Sequence, residues 1–232
     1  MREILRAGFA ALNVPAPEEA YGRFEAYYRT LVETNKVMNL TAITEETEAA
    51  RLHFLDSAAL LRCADFRGKR VIDVGTGAGF PGLPVRILCP EAELTLLDSL
   101  QKRIGFLADT CAMLGLPDVK CIHARAEEAS ELRGQFDFAL SRAVARLNVL
   151  CELCLPFVRV GGAFLAMKGP EPQEEIDEAR NAAGQLGGQF GETVFYDVPG
   201  TDVRHSVVIV RKVKETPKQF PRRFAKIQKS PL

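Results

Sequence analysis

Residues 71–82 read Val-Ile-Asp-Val-Gly-Thr-Gly-Ala-Gly-Phe-Pro-Gly, and this stretch decides the fold. Val71–Val74 is a short run of mostly β-branched residues closed by glycine, the pattern of a buried strand. Gly75, Gly77 and Gly79 let the chain turn tightly and let a ligand come close to main-chain atoms. Pro81 suits the first position of a following helix, where its missing N–H costs nothing.

Strands and helices alternate outward from this loop. Strands are expected at 93–98, 119–124, 136–142 and 162–169, with helices over 99–115, from the fourth strand through about 158, and over 174–187. The acidic first turn of the last helix complements its dipole. Alternation of this kind gives a parallel sheet with helices on both faces. The final two strands, 192–199 and 204–213, follow each other too closely for a parallel crossover and must pair antiparallel. The expectation is an α/β, Rossmann-like sheet of seven strands, mostly parallel, ending in an antiparallel hairpin.

Residues 1–66 carry helical periodicity and no strong strand, with helices expected near 2–12, 17–36, 45–50 and 53–64. Pro15 and Pro17 separate the first two, and Thr44 is the expected N-cap of the third. The chain therefore divides into a helical extension, 1–66, packed on a ligand-binding domain, 67–232. Basic and acidic residues balance at 30 each, which excludes a global pull toward polyanions. The balance hides a basic tail, since residues 211–232 hold eight Lys and Arg against Glu215 alone. No run approaches the ~18 apolar residues of a membrane span, and the first residues, with Arg2, Glu3 and Arg6, do not form a signal peptide. The six cysteines are scattered and read as free thiols of a cytoplasmic protein, with Cys151 and Cys154 as small buried hydrophobes on a helix. No metal is expected, and a monomer is the default.

Two ligands compete for the loop. A dinucleotide site wants GxGxxG and helix N-terminal amides aimed at a pyrophosphate. Here the spacing is GxGxG, Phe80 stands where the third glycine should be, and Pro81 removes an amide. Asp73 would repel pyrophosphate but can hold the ammonium of a methionine moiety directly or through water, so the loop favours S-adenosylmethionine. Asp98, about 20 residues beyond the loop, is placed to accept ribose hydroxyls; it also suits a helix N-cap, and the two roles can coexist. Ala126 and Glu127 follow the third strand, where an amide and a carboxylate can read adenine. The terminal hairpin is the layout of class I methyltransferases. An NAD-linked oxidoreductase and a non-catalytic nucleotide-binding module remain the alternatives.

One series of motifs goes further. It comprises Asn39-Leu-Thr41, His53-Phe-Leu-Asp-Ser57, the glycine loop, Leu-Leu-Asp-Ser99 with Lys102-Arg103, Arg125-Ala-Glu127, Ser141-Arg-Ala143, Lys168-Gly169 and Pro221-Arg222. Together these resemble the RsmG (GidB) family of bacterial small-subunit ribosomal RNA guanine-N7 methyltransferases, over nearly the whole chain. The resemblance implies cofactor contacts at Gly75, Phe80, Asp98, Ser99, Leu100, Ala126, Glu127 and Arg142. It implies 16S ribosomal RNA, or the small subunit, as partner and one guanine as target. A methyltransferase acting on a small molecule or a protein would carry the same cofactor site.

Guanine N7 has an in-plane lone pair and no proton to lose. It needs neither a general base nor a covalent intermediate, and positioning suffices. Arg142, just past the fourth strand, is the first candidate for orienting cofactor or base, with an ion pair to a helix acid as the structural alternative. Lys168, ending the fifth strand, is the second. His53, Asp56 and Ser57 share a helix face at i, i+3 and i+4, which suits lining the site mouth better than a triad. Arg103, Arg125, Arg146 and the tail, with Arg222 and Arg223, are candidate phosphate contacts.

Overall fold

The computed structural model describes residues 1–142 and 145–232. Ala143, the last residue of the Ser141-Arg-Ala run, lies outside the described residues. Seven strands form one sheet in the order β3-β2-β1-β4-β5-β7-β6. They are β1 (Arg70–Val74), β2 (Glu93–Asp98), β3 (Lys120–His123), β4 (Phe136–Arg142), β5 (Val158–Lys168), β6 (Gly188–Asp197) and β7 (Arg204–Lys212). β1 pairs in parallel with both β2 and β4, so the chain order reverses at β1 and a crevice opens beyond its carboxyl end. β7 pairs antiparallel with β5 and with β6, as the short connection requires.

Alternation along the strands sorts the core into two clusters. Val71, Leu96, Leu140 and Leu165 face one side, where Leu5, Phe9, Phe24 and Phe54 of the N-terminal helices join them. Ile72, Leu97, Ala139 and Phe164 face the other, under Leu150, Ala179 and Ile227. The first side carries α1 (Arg2–Ala11), α2 (Glu18–Met38), α5 (Gly82–Leu88) and α6 (Gln101–Met113). The second carries α7 (Leu147–Cys154), α8 (Gln173–Gln185) and a short C-terminal helix, α9 (Phe224–Lys229). Among the described residues no helix is long and apolar enough to cross a membrane.

Several sequence expectations need correction. The segments 45–50 and 53–64 are one helical run: α3 (Glu46–Ala49), a π-helical segment (Ala50–Leu55), α4 (Asp56–Ala58) and a 3-10 turn (Ala59–Arg62). Glu45 rather than Thr44 caps it, because the longer Glu45 side chain folds back to accept from the Glu48 N–H at 2.7 Å. Pro81 is the N-cap of α5 rather than its first residue. β5 starts at Val158, earlier than expected: α7 ends at Cys154, one 3-10 turn containing Pro156 follows, and the strand begins directly after it. β6 starts at Gly188, upstream of a register shift between Phe190 and Thr193.

Candidate active site

The loop after β1 is built from below by Asp73. This carboxylate has no exposed surface. Its Oδ2 accepts from Thr76 Oγ1 at 2.7 Å and from the Gly82 N–H at 2.8 Å. Burial pushes Asp73 up to about 6, against the opposing pull of those two hydrogen bonds. A Cβ at Gly82 would stand 2.8 Å from Asp73 Oδ2, so only glycine lets the helix start this close. Of the two holds on an ammonium expected of Asp73, direct or through water, this placement does not offer the direct one; Oδ1 is buried and has no hydrogen-bond partner among the described residues. It stands behind the loop and sets its shape.

Gly75, Gly77 and Gly79 all have positive φ. Tyr27 of α2 donates to the Ala78 carbonyl at 2.5 Å and stacks on Phe80 with ring centroids 5.4 Å apart. The N-terminal helices thus hold the loop from above. Tyr27 was not singled out from the sequence, where it is one aromatic on an amphipathic helix.

The crevice holds two adjoining cavities that share Gly75, Asp98 and Ser99. The first, about 430 Å3, is lined by Thr41, His53, Gly75, Thr76, Gly77 and Ala78 of the loop, Phe80 and Arg142. Gly79, expected at the cofactor, is not in this lining; it faces the interior, where a Cβ would meet Tyr27 Oη, Leu83 and Leu107. The second, about 320 Å3, is lined by Ala126, Glu127, Leu150, Leu153 and Phe224. Asp98 marks the waist between them. Its Oδ2 accepts from the Gly77 N–H and its Oδ1 from the Leu100 N–H, each at 2.9 Å. Arg103 Nη1 also donates to Oδ2, at 3.4 Å. Of the about four lone-pair sites of a carboxylate, the free one is on Oδ1, open to a ligand hydroxyl, and the long Arg103 contact is the one a second hydroxyl would replace. Leu100 is half exposed and lines neither cavity; only its N–H takes part, through Asp98.

Arg142 sits at the end of β4 in the first cavity. Nη1 donates to Asp56 Oδ2 at 2.9 Å and to the Leu52 carbonyl at 3.0 Å, and Nη2 donates to His53 Nδ1 at 3.2 Å. The guanidinium lies 5.0 Å from the centroid of the Phe80 ring, on which His53 also stacks at 4.4 Å. Three of the five guanidinium N–H donors are engaged; among the described residues, Nε–H and one Nη2 hydrogen have no acceptor. The ion pair with a helix acid and a place in the cavity wall are both realised.

Asp56 ties this arrangement to the hairpin. Its Oδ1 accepts from Tyr196 Oη and from His205 Nδ1, each at 2.7 Å. Burial alone would raise Asp56, but the His205 hydrogen bond and the Arg142 charge outweigh it and hold the carboxyl below its usual value. Tyr196 and His205 face each other across β6 and β7. No spacing in the sequence connects them to Asp56, about 140 residues upstream.

His53 has a defined tautomer. A guanidinium only donates, so Nδ1 accepts, and Nε2 carries the proton that goes to Thr41 Oγ1 at 2.8 Å. Burial, then the Arg142 charge, lowers His53 from 6.5 to about 4. The stability tied to neutral His53 is fully present above pH 6.5 and is lost as pH falls through about 4. The chain has three histidines. Proton NMR of the imidazole Hε1 signals should show His53 unmoved between pH 8 and 5.5; a His53 midpoint above 5.5 would contradict this assignment.

A family model described as GidB, rRNA small subunit methyltransferase G, matches residues 20–197. A protein of Clostridium perfringens (strain 13) named ribosomal RNA small subunit methyltransferase G is 46% identical over 234 residues, covering 99% of this chain and 98% of that one. A protein of the same name from Alkaliphilus oremlandii is 44% identical over 236 residues, covering 100% and 99%. The chain belongs to this family. Solved structures share its fold: TrmN from Thermus thermophilus, with TM-score 0.55 and 22% identity, covers 68% of this chain and 48% of its own. A SAM-dependent methyltransferase from Aquifex aeolicus, with TM-score 0.52 and 18% identity, covers 71% and 93%. The fold is that of the class I methyltransferases.

Against the family motifs, the crevice brings together Gly75, Gly77, Phe80, Asp98, Ser99, His53 and Arg142 in one cavity, and Arg125, Ala126 and Glu127 in the other. Other candidates stand elsewhere. Lys168 lines neither cavity; its Nζ donates to the Ala145 carbonyl at 2.8 Å and to Glu175 Oε2 at 2.7 Å, fastening the start of α7 to α8. Ser57 is fully buried and donates back to the His53 carbonyl at 2.6 Å, so it stabilises the helix turn rather than lining the mouth. Asp56 acts only through Arg142. Arg222 is bound to Glu152, with Nη2 to Oε2 at 2.6 Å and Nε to Oε1 at 2.8 Å. Its charge is committed to this buried carboxylate. Lys212, counted in the basic tail, is buried and donates to the Leu155 carbonyl at 2.7 Å. Arg223 is exposed.

Proposed function

We propose that this protein transfers a methyl group from S-adenosylmethionine to N7 of one guanine in the 16S ribosomal RNA of the small subunit. The observation that carries the reading is the pair of cavities meeting at Asp98, in a chain of the GidB family. When bound, S-adenosylmethionine supplies an electrophilic methyl group on a positively charged sulfur. Asp98 accepts the ribose hydroxyls, and Ala126 and Glu127 read the adenine. The glycine loop and Ser99 offer main-chain atoms to the methionine end, and Asp73 keeps that loop in shape.

Guanine fits the first cavity on chemical grounds. Both nitrogens of His53 are engaged, and its neutrality makes it neither acid nor base near pH 7. That would fail a target with a proton to remove, and suits N7. Arg142 turns its remaining donors to guanine O6, and Asp56 balances its charge so that it does not repel the sulfonium. Arg125, Arg223, Lys226 and Lys229 are the exposed cations for phosphates of the surrounding RNA, whose target base must be unstacked to enter. Residues 1–66 serve as the roof of the cofactor site. The enzyme works in the cytoplasm as a monomer.

The test is methyl transfer from labelled S-adenosylmethionine to small subunits that lack the modification, with the product nucleoside identified. Label recovered as 7-methylguanosine at one position supports cofactor, reaction and substrate together. Cofactor binding without transfer to subunits or naked RNA would turn the reading to a small-molecule or protein substrate.

A further inference from the structure

The tail reads as an RNA-binding arm in the sequence, yet three cations hold it against the protein. Lys212 Nζ donates to the Leu155 and Leu186 carbonyls and to Thr216 Oγ1. The Arg133 guanidinium donates to the carbonyls of Thr216, Pro217 and Phe220. Arg222 chelates Glu152, which has no exposed surface, through side chain and main-chain N–H alike. Beyond this clasp α9 lies on α7, with Ile227 fully buried. One turn earlier, Phe224 lines the second cavity together with Asp98, Ala126 and Glu127. Arg125 lies 5.9 Å from the centroid of its ring.

We propose that Phe224 is a cofactor-binding residue and that α9 forms the wall of the adenosine end of the site. This rests on reading the cavity as a S-adenosylmethionine site. A purine is flat and apolar on its faces, and a cavity walled by Leu150, Leu153 and an aromatic ring matches it, with Glu127 and the main chain left for the polar edge. The same six-residue helix turns Lys226 and Lys229 to solvent. Docking of the tail and filling of the cavity are then one coupled equilibrium, and each strengthens the other by the same factor. The tail is then both part of the cofactor site and a carrier of exposed cations beside it.

The experiment is calorimetric titration of the full chain with S-adenosylhomocysteine, with trypsin digestion as a second reading. Wild-type protein should bind. Phe224→Ala should bind about tenfold more weakly, the order of one lost base–aromatic contact, while Phe224→Tyr retains affinity. Saturating S-adenosylhomocysteine should slow tryptic cleavage after Arg223 and Lys226. If Phe224→Ala does not fold, Phe224→Leu keeps apolar contact with α7 without the ring and decides the matter. Wild-type affinity in whichever of these two variants is read overturns the proposal, as does unchanged cleavage on ligand addition. Failure of the wild type to bind would instead overturn the reading of the cavity itself, and this proposal with it.

Discussion

Arg142→Ala should reduce methyl transfer to the small subunit by about 10²–10³, the cost of one lost donor aimed at developing charge, and should destabilise the fold as well. Arg142 has a side chain 16% exposed, and Asp56 one 3% exposed. Removing the cation leaves the carboxylate buried, which costs about 3–5 kcal/mol for pairs of this kind. Tyr196 and His205 still donate to Asp56 Oδ1, so the loss belongs at the lower end, roughly 3 kcal/mol. For a chain of this size that lowers the melting midpoint by roughly 6–12 °C. The two effects separate when kcat is measured well below the midpoint.

Arg142→Lys tests the shape of the group rather than its charge. An ammonium cannot bridge Asp56, the Leu52 carbonyl and His53 Nδ1 while still offering donors to the cavity. It should restore much of the stability and little of the rate. Equal kcat in Arg142→Ala and wild type would remove Arg142 from the reaction and leave it a structural ion pair.

The arrangement around Arg142 marks where the sequence was readable and where it stopped. β1 was legible as a β-branched run closed by glycine, and β2 and β4 as short apolar runs between helical segments, which fall at their expected bounds. The hairpin was legible because its connection is too short for a crossover. The glycine loop announced a ligand site, and Asp98 and Ala126-Glu127 follow from the strand ends. The π-helical segment was not legible. An i→i+5 turn has no compositional signature and depends on tertiary contacts. Here Phe54 packs on Phe24 and Tyr27, while His53 reaches Thr41 and Arg142. The helical face inferred from i, i+3, i+4 spacing therefore distributed its roles differently. His53 lines the cavity, Asp56 supports Arg142, and Ser57 is interior. Lys168 and Arg222 stand outside both cavities for a related reason. Whether a cation at a strand end or in a tail reaches solvent depends on which acid the packing brings to it, Glu175 on the next helix for one and Glu152, 70 residues upstream, for the other.

Arg222→Met should be the most destabilising substitution in the tail. Glu152 sits on α7 with no exposed surface, and Arg222 supplies its cation together with a main-chain N–H at 2.8 Å. Removing the guanidinium alone strands a buried carboxylate, at a cost of about 3–5 kcal/mol, or a fall in melting midpoint of roughly 6–20 °C. Adding Glu152→Gln removes the stranded charge while keeping an acceptor for the Arg222 main-chain N–H. The double variant should therefore recover more than half of the loss by thermal or urea unfolding. If the Arg222 side chain were an RNA contact, Arg222→Met would leave unfolding unchanged and weaken only salt-sensitive RNA binding. If it is the clasp described above, stability falls first. S-adenosylhomocysteine affinity falls with it, because Phe224 is held over the second cavity only two residues beyond the ion pair.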